Sequence, residues 1–79
     1  MPEIQINKEP VELYKILKFE GLASSGAEAK QIISSGLVLL NGVVELQKSK
    51  KIMAHDVLTI DSENYQIVLE VVAWNTAIQ

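Results

Sequence analysis

Three lysines fall within four positions, Lys48, Lys50 and Lys51, with Ser49 between the first two. They form the one dense basic cluster of the chain. An ε-ammonium is a compact point charge with three donors on a flexible stem, so it suits phosphate oxygens better than base edges. A second group precedes an expected helix: Ser24, Ser25 and Gly26, with Lys30 just over one turn further on. The free N–H groups and the dipole at a helix N-terminus favour an anion such as phosphate, and Gly26 has no side chain to hold one away. Each feature also has a plain explanation. Lysines in a polar loop are ordinarily solvated surface, and Ser25 with Glu28 reads as a capping box worth about 1 kcal/mol of stability.

Little else in the chain could do chemistry. There is no cysteine and a single histidine, which removes most nucleophile–base arrangements and any disulfide framework. His55-Asp56 is the one suggestive pair, but neighbours in a turn point apart, and Asp56 is better suited to capping the turn. His55 has no second His or Cys to complete a metal site, and no phosphate-cradling glycine loop is present. The residues point away from an enzyme and call for no cofactor.

The balance of charge argues against an indiscriminate polyanion binder. The 79 residues carry a formal net charge of −3, and all seven basic residues are lysine. Binding to a nucleic acid would therefore rest on where the lysines sit, not on their number. The composition, 48% hydrophobic and 22% charged, is that of a globular chain. No apolar run approaches the ~20 residues needed to span a bilayer. The longest, Ile67 to Trp74, is interrupted by Glu70. The N-terminal residues lack the basic and apolar regions of a signal peptide. A single domain over residues 1–79, in the cytoplasm and off the membrane, is the expectation.

The elements that must position these groups follow from hydrophobic period and turn chemistry. Ile4 and Ile6 alternate with polar neighbours as in a strand. Pro10 suits the first turn of a helix, whose apolar face is Leu13, Ile16 and Leu17 and whose outer side carries Glu12, Lys15 and Lys18; an ion pair is the expected role of these lysines. Gly21 closes that helix. The second begins at Ser25, buries Ala29, Ile32 and Ile33, uses the small Ala27 and Ala29 for close helix approach, and ends at Gly36. The period then changes. Leu37 to Leu40 reads as a strand, Asn41-Gly42 as a type I′ turn with positive φ at both positions, and Val43 to Leu46 as the returning strand. Gln47 to Lys51 is a polar, basic loop. His55-Asp56 introduces a strand over Val57–Ile60, Asp61 to Asn64 is a turn, and Tyr65 to Val72 is the last strand. The expected fold is α+β, two helices packed on a small, mostly antiparallel sheet.

The run Gly21-Leu22-Ala23-Ser24-Ser25, then Glu28-Ala29-Lys30, then Ile33, Gly36, Val38, Asn41 and Gly42, resembles the S4 domain, and Asp56 to Ile60 resembles the strand after that family's Gly-Asp turn. The resemblance runs from about Val11 to Ile60, leaving residues 61–79 as a last strand and tail. The chain is similar to the small stand-alone bacterial S4 proteins. Glu12 and Gly26 stand where many S4 domains carry arginine, and His55 stands where glycine is usual; glycine at the Gly26 position is a habit of the stand-alone group.

The resemblance implies the S4-like αL motif and an RNA-binding surface made by the start of the second helix and the hairpin after it. Onto this chain it carries Ser24, Ser25, Gly26, Lys30, Asn41, Lys48, Lys50 and Lys51. Asn41 is a turn residue first and an RNA contact second. The implied partner is structured RNA, ribosomal RNA included, because Tyr14, Phe19, Tyr65 and Trp74 are the only aromatics and none falls in the lysine cluster to stack on bases. The alternative is a protein-interaction module that keeps the scaffold without the RNA role. The acidic balance, the absent arginines and the apolar Val71-Val72-Ala73-Trp74 favour that alternative. Trp74 is expected to pack along the domain's edge.

Overall fold

A computed structural model describes residues 1–70. The expected Trp74 packing and the end of the expected last strand, residues 71–72, lie outside the described residues. The elements are β1 (Glu3–Ile6), β2 (Val11–Glu12), α1 (Leu13–Phe19), α2 (Gly26–Ser34), β3 (Val38–Leu40), β4 (Val43–Val44), β5 (Lys51–Ile52), β6 (Val57–Ile60) and β7 (Glu63–Leu69). The larger sheet runs β1-β7-β6-β3-β4, and β2 pairs with β5 as a separate ribbon. Only β1 with β7 is parallel; every other described pair is antiparallel. Two helices on a mixed, mostly antiparallel sheet is the α+β arrangement that the pattern of residues implies.

The core follows the two periodicities. Ile4 and Ile6 of β1 are buried and their neighbours exposed, as strand alternation requires. Leu13, Ile16 and Leu17 of α1 meet Ala29 and Ile33 of α2, and all five join Val38, Leu58 and Ile67 from the sheet in one cluster. Ile32 is only half-buried, at the margin of that cluster, and Ala27 is exposed. Close helix approach therefore falls to Ala29 and to Gly26, where a Cβ would lie 3.9 Å from Tyr14 ring carbons.

Two tight hairpins set the register of the sheet. Asn41 and Gly42 have φ of 51° and 86°, and Leu40 pairs with Val43 across them, the type I′ turn expected. Asp61 and Ser62 do the same, at 53° and 65°, between the paired Ile60 and Glu63. The second turn is thus shorter than expected. Glu63 and Asn64 already belong to β7, where Asn64 Oδ1 accepts from the Thr59 hydroxyl at 2.7 Å.

Three further expectations need correction. Pro10 does not open a helix: it follows a cis Glu9–Pro10 bond and precedes β2, so α1 begins at Leu13. The reason is pairing, since Val11 and Glu12 are held extended against Ile52 and Lys51. By the same pairing the basic segment is not all loop, because Lys51 and Ile52 form β5 and Ile52 is fully buried. The strand returning from Asn41-Gly42 is also brief, with Glu45 and Leu46 beyond its end.

Candidate nucleic-acid interface

The first turn of any helix leaves N–H groups without intrahelical partners. At α2 the solution is local. Ser25 is the N-cap, in extended conformation, and its Oγ accepts from the Glu28 N–H at 3.1 Å. The reciprocal half of the expected box is displaced by one residue. The Glu28 carboxylate accepts from the Ser24 N–H at 2.9 Å and from the Ser24 hydroxyl at 3.0 Å. Ser24 and Ser25 are therefore engaged in the cap, and a carboxylate already sits beside the helix N-terminus where an anion would be drawn.

At α1 the solution is distant. Glu12, its N-cap, makes no side-chain cap bond. Instead the Leu13 N–H donates to the Lys50 carbonyl at 2.9 Å and the Tyr14 N–H to the Lys48 carbonyl at 3.0 Å. The turn Gln47–Lys50, closed by a Lys50 N–H to Gln47 carbonyl bond of 3.3 Å, is thereby seated on the start of α1. The β2–β5 ribbon fixes its far end.

This brings the lysine turn to Tyr14, which sequence reasoning set apart from the cluster. Lys30 Nζ lies 4.6 Å from the Tyr14 ring centroid and Lys15 Nζ 6.0 Å from it, both within cation–π range. The space a Gly26 side chain would fill is bounded by the same ring and by Lys18 Cδ at 4.0 Å. Tyr14 thus joins the start of α2, Lys30 and the backbone of the lysine turn. The signal that could have found it is its place one residue after the first apolar position of α1; the partner segment, more than thirty positions away, gives none.

The remaining basic groups divide. Lys15 pairs with Glu12 at 3.1 Å, the expected helix-surface ion pair. That contact, with the Ser49 hydroxyl second, holds the Glu12 carboxyl below its ordinary range and raises Lys15. Lys18 lies over the exposed Phe19 ring at 5.6 Å. Lys51 lines a cleft between β1 and α1 together with Lys8 and Lys15.

Asn41 belongs to another network. Its Nδ2 donates to Asp56 Oδ1 at 3.1 Å and its Oδ1 accepts from the Val57 N–H at 2.9 Å. Asp56 also accepts from the Met53 N–H at 2.9 Å, capping the turn as its position implied. His55 in that turn has φ of 78°, a left-handed conformation, which accounts for the glycine usual there in S4 domains. Among the described residues, no group of three or more His, Cys, Asp or Glu could hold a metal ion, and no helix is long and apolar enough to cross a membrane.

A sequence profile of the S4 domain matches residues 4–68, further in both directions than the Val11–Ile60 stretch that carries the visible motifs. The putative RNA-binding protein YbcJ of Escherichia coli is 39% identical over 69 residues, covering 86% of this chain and 99% of that protein. The uncharacterized protein YbcJ of Shigella flexneri matches to the same extent. The solution structure of E. coli YbcJ, described as revealing an αL motif involved in RNA binding, superposes with a TM-score of 0.65 over 86% of this chain and 87% of that one. With profile, sequence and structure in agreement over nearly all the described residues, the chain belongs to the S4 domain family, which is not a family of enzymes.

Proposed function

We propose that this chain is an RNA-binding module that docks on structured RNA mainly through phosphate contacts. The observation that carries the reading is the meeting at Tyr14 of the lysine turn, Lys30 and the start of α2. In a chain of net charge −3, binding to phosphates has to rest on where lysines are placed rather than on their number, and here the backbone of the lysine turn is seated on the helix whose Tyr14 ring lies against Lys30. The words attached to the E. coli relative and its solution structure support the same partner.

Lys30, Lys48 and Lys50 are the principal phosphate groups, with Lys51 reaching the backbone from the neighbouring cleft. The Gly26 amide, unobstructed by a side chain, is the group through which the α2 N-terminus approaches RNA. Ser24 and Ser25 act chiefly by holding that turn, and each hydroxyl keeps lone pairs for a donor such as a ribose 2′-OH. Asn41 braces the hairpin, and its second amide N–H is the one left for a direct contact. Ribosomal RNA is the first probe to try, and the cytoplasm is the compartment this function implies.

The test compares wild type with a Lys48→Ala, Lys50→Ala, Lys51→Ala variant on structured RNA at low and physiological salt. The carbonyls that seat the turn are backbone, so the variant should stay folded. Three or four phosphate contacts give a log–log salt slope of roughly −3 to −4 by analogy with duplex DNA. The variant should lose most of the binding. Wild type that binds no structured RNA even at low salt sinks the reading.

A second reading, a protein-interaction module, is favoured by a different feature. Leu37, Val43, Val44 and Leu46 are exposed around the β3–β4 hairpin, and contiguous exposed apolar residues suit a protein contact. It predicts that binding of a partner survives loss of the lysines and fails on Val43→Lys.

A further inference from the structure

We infer that Tyr14 is a positioning residue for Lys30, so that the ring, rather than the lysine's own stem, decides where this ammonium meets RNA. The inference rests on the RNA-binding reading and adds to it a residue that carries no charge.

Lysine side chains carry four rotatable bonds and lose much entropy when held in one place. Six of the seven lysines have a fate that is either solvent or another contact. Lys15 is paired with Glu12, Lys18 lies beside Phe19, and Lys8 and Lys51 line the β1–α1 cleft. Lys48 and Lys50 are committed through their carbonyls, which leaves their side chains unaffected. Lys30 alone is drawn to a ring on the other helix, at 4.6 Å from its centroid. One N–H of the ammonium can face the ring while the other two remain for phosphate oxygens.

The ring is itself fixed. Tyr14 is half-buried against the core, its N–H is held by the Lys48 carbonyl at 3.0 Å, and its edge carbons lie 3.9 Å from where a Gly26 Cβ would be. A bulkier side chain at position 26 would compete for that space. The same ring therefore fixes Lys30 relative to both the α2 N-terminus and the lysine turn. The two parts of the interface are presented in one geometry.

Lys48 provides an internal control. Its link to Tyr14 runs through the backbone N–H, which survives any side-chain substitution at position 14. Removing the ring should therefore uncouple Lys30 and leave Lys48 as it was.

The experiment uses the full chain with Tyr14→Phe, Tyr14→Leu, Lys30→Ala and Lys48→Ala, and with Tyr14→Leu combined with each lysine change. Folding of every variant is checked by circular dichroism and thermal melting. Without RNA, proton NMR should show the Lys30 ε-methylene shifted upfield by the ring in wild type and Tyr14→Phe, and returned to its random-coil position in Tyr14→Leu. With an RNA hairpin at low salt, Tyr14→Phe should bind like wild type. Tyr14→Leu should lose about two- to fivefold, the size of an exposed cation–π contact. Adding Lys30→Ala to Tyr14→Leu should cost less than Lys30→Ala costs in wild type. The effects of Tyr14→Leu and Lys48→Ala should simply multiply. An unshifted Lys30 methylene in wild type, or multiplying effects at Tyr14 and Lys30, overturns the inference. Wild type with the shift but no RNA binding overturns the functional reading on which it rests, and the two failures are thereby told apart.

Discussion

The N-termini of α1 and α2 meet the same demand by opposite means. At α2, Ser24, Ser25 and Glu28 close the first turn within five residues of chain. At α1, the carbonyls of Lys48 and Lys50 arrive from the far side of α2 and the β3–β4 hairpin. A local cap costs little loop-closure entropy, whereas a distant one orders the whole intervening chain and so holds only when other contacts fix the segment that supplies it. Here those contacts are the β2–β5 pairing and the burial of Ile52. The difference teaches where the interface is vulnerable. One side of it stands on a three-residue local device, and the other stands on the tertiary fold.

Ile52→Ala tests the distant side and should have the largest effect. Loss of a fully buried isoleucine costs about 2–5 kcal/mol, read as a fall in the urea midpoint. Native-state hydrogen exchange sharpens the point. The amides of Leu13 and Tyr14 should be released more than that of Glu28, because their acceptors ride on the segment Ile52 anchors. Equal release at both helices would mean that the two N-termini open as one unit, and the contrast would be lost.

Ser25→Ala is the converse. Removing an N-cap serine costs about 1 kcal/mol, and now the Glu28 amide should exchange faster while Tyr14 keeps its protection. A smaller stability change with both amides unaffected would show that Ser24, already bonded to Glu28, takes over the cap.

This asymmetry also explains what the sequence made legible. Ser25, Glu28 and Asn41-Gly42 act over one to four residues with residue types suited to one job, so the second helix and the hairpin could be read directly. The alternation at Ile4 and Ile6 and the helical spacing of Leu13, Ile16 and Leu17 revealed the core in the same way. Pro10 misled because its fixed φ fits a helix start and an extended segment alike, and the choice was made by Ile52, some forty positions on. The same distant pairing hid β5 and made Tyr14 look remote from the lysines. The lysine cluster was visible as charge, but that Lys51 turns to the β1–α1 cleft was not, because strand alternation applies only once β5 is known to be a strand.

Glu28→Gln probes the one feature of the local side that works against an anion. The amide keeps one oxygen to accept from the Ser24 N–H and offers its NH2 to the Ser24 hydroxyl oxygen in place of the second, while the favourable charge–dipole contact, worth about 0.3–1 kcal/mol, is lost. Stability should fall by about that amount. RNA affinity should rise by at most about 1 kcal/mol, since a like charge near the phosphate approach is removed. Affinity that falls along with stability would indicate that the carboxylate's role in shaping the turn outweighs its charge.

The smallest effect belongs to Glu12, the α1 N-cap that makes no cap bond. Its carboxyl is held below the ordinary range by the hydrogen bond from Lys15 first and by Ser49 next, so the folded form is the weaker binder of a proton. Such a group stabilises the fold above the pKa of the unfolded chain, ordinarily about 4.3 for glutamate. The contribution is lost as pH falls through the depressed folded value. Because the pair is open to solvent, salt screens it and the contribution is slight. Thermal melts of wild type and Glu12→Gln should therefore differ a little near neutrality and converge only as pH falls through the depressed folded value of Glu12. A difference that persists in acid would have to come from the shape of the side chain in the β2–β5 ribbon, and would make Glu12 part of the distant cap after all.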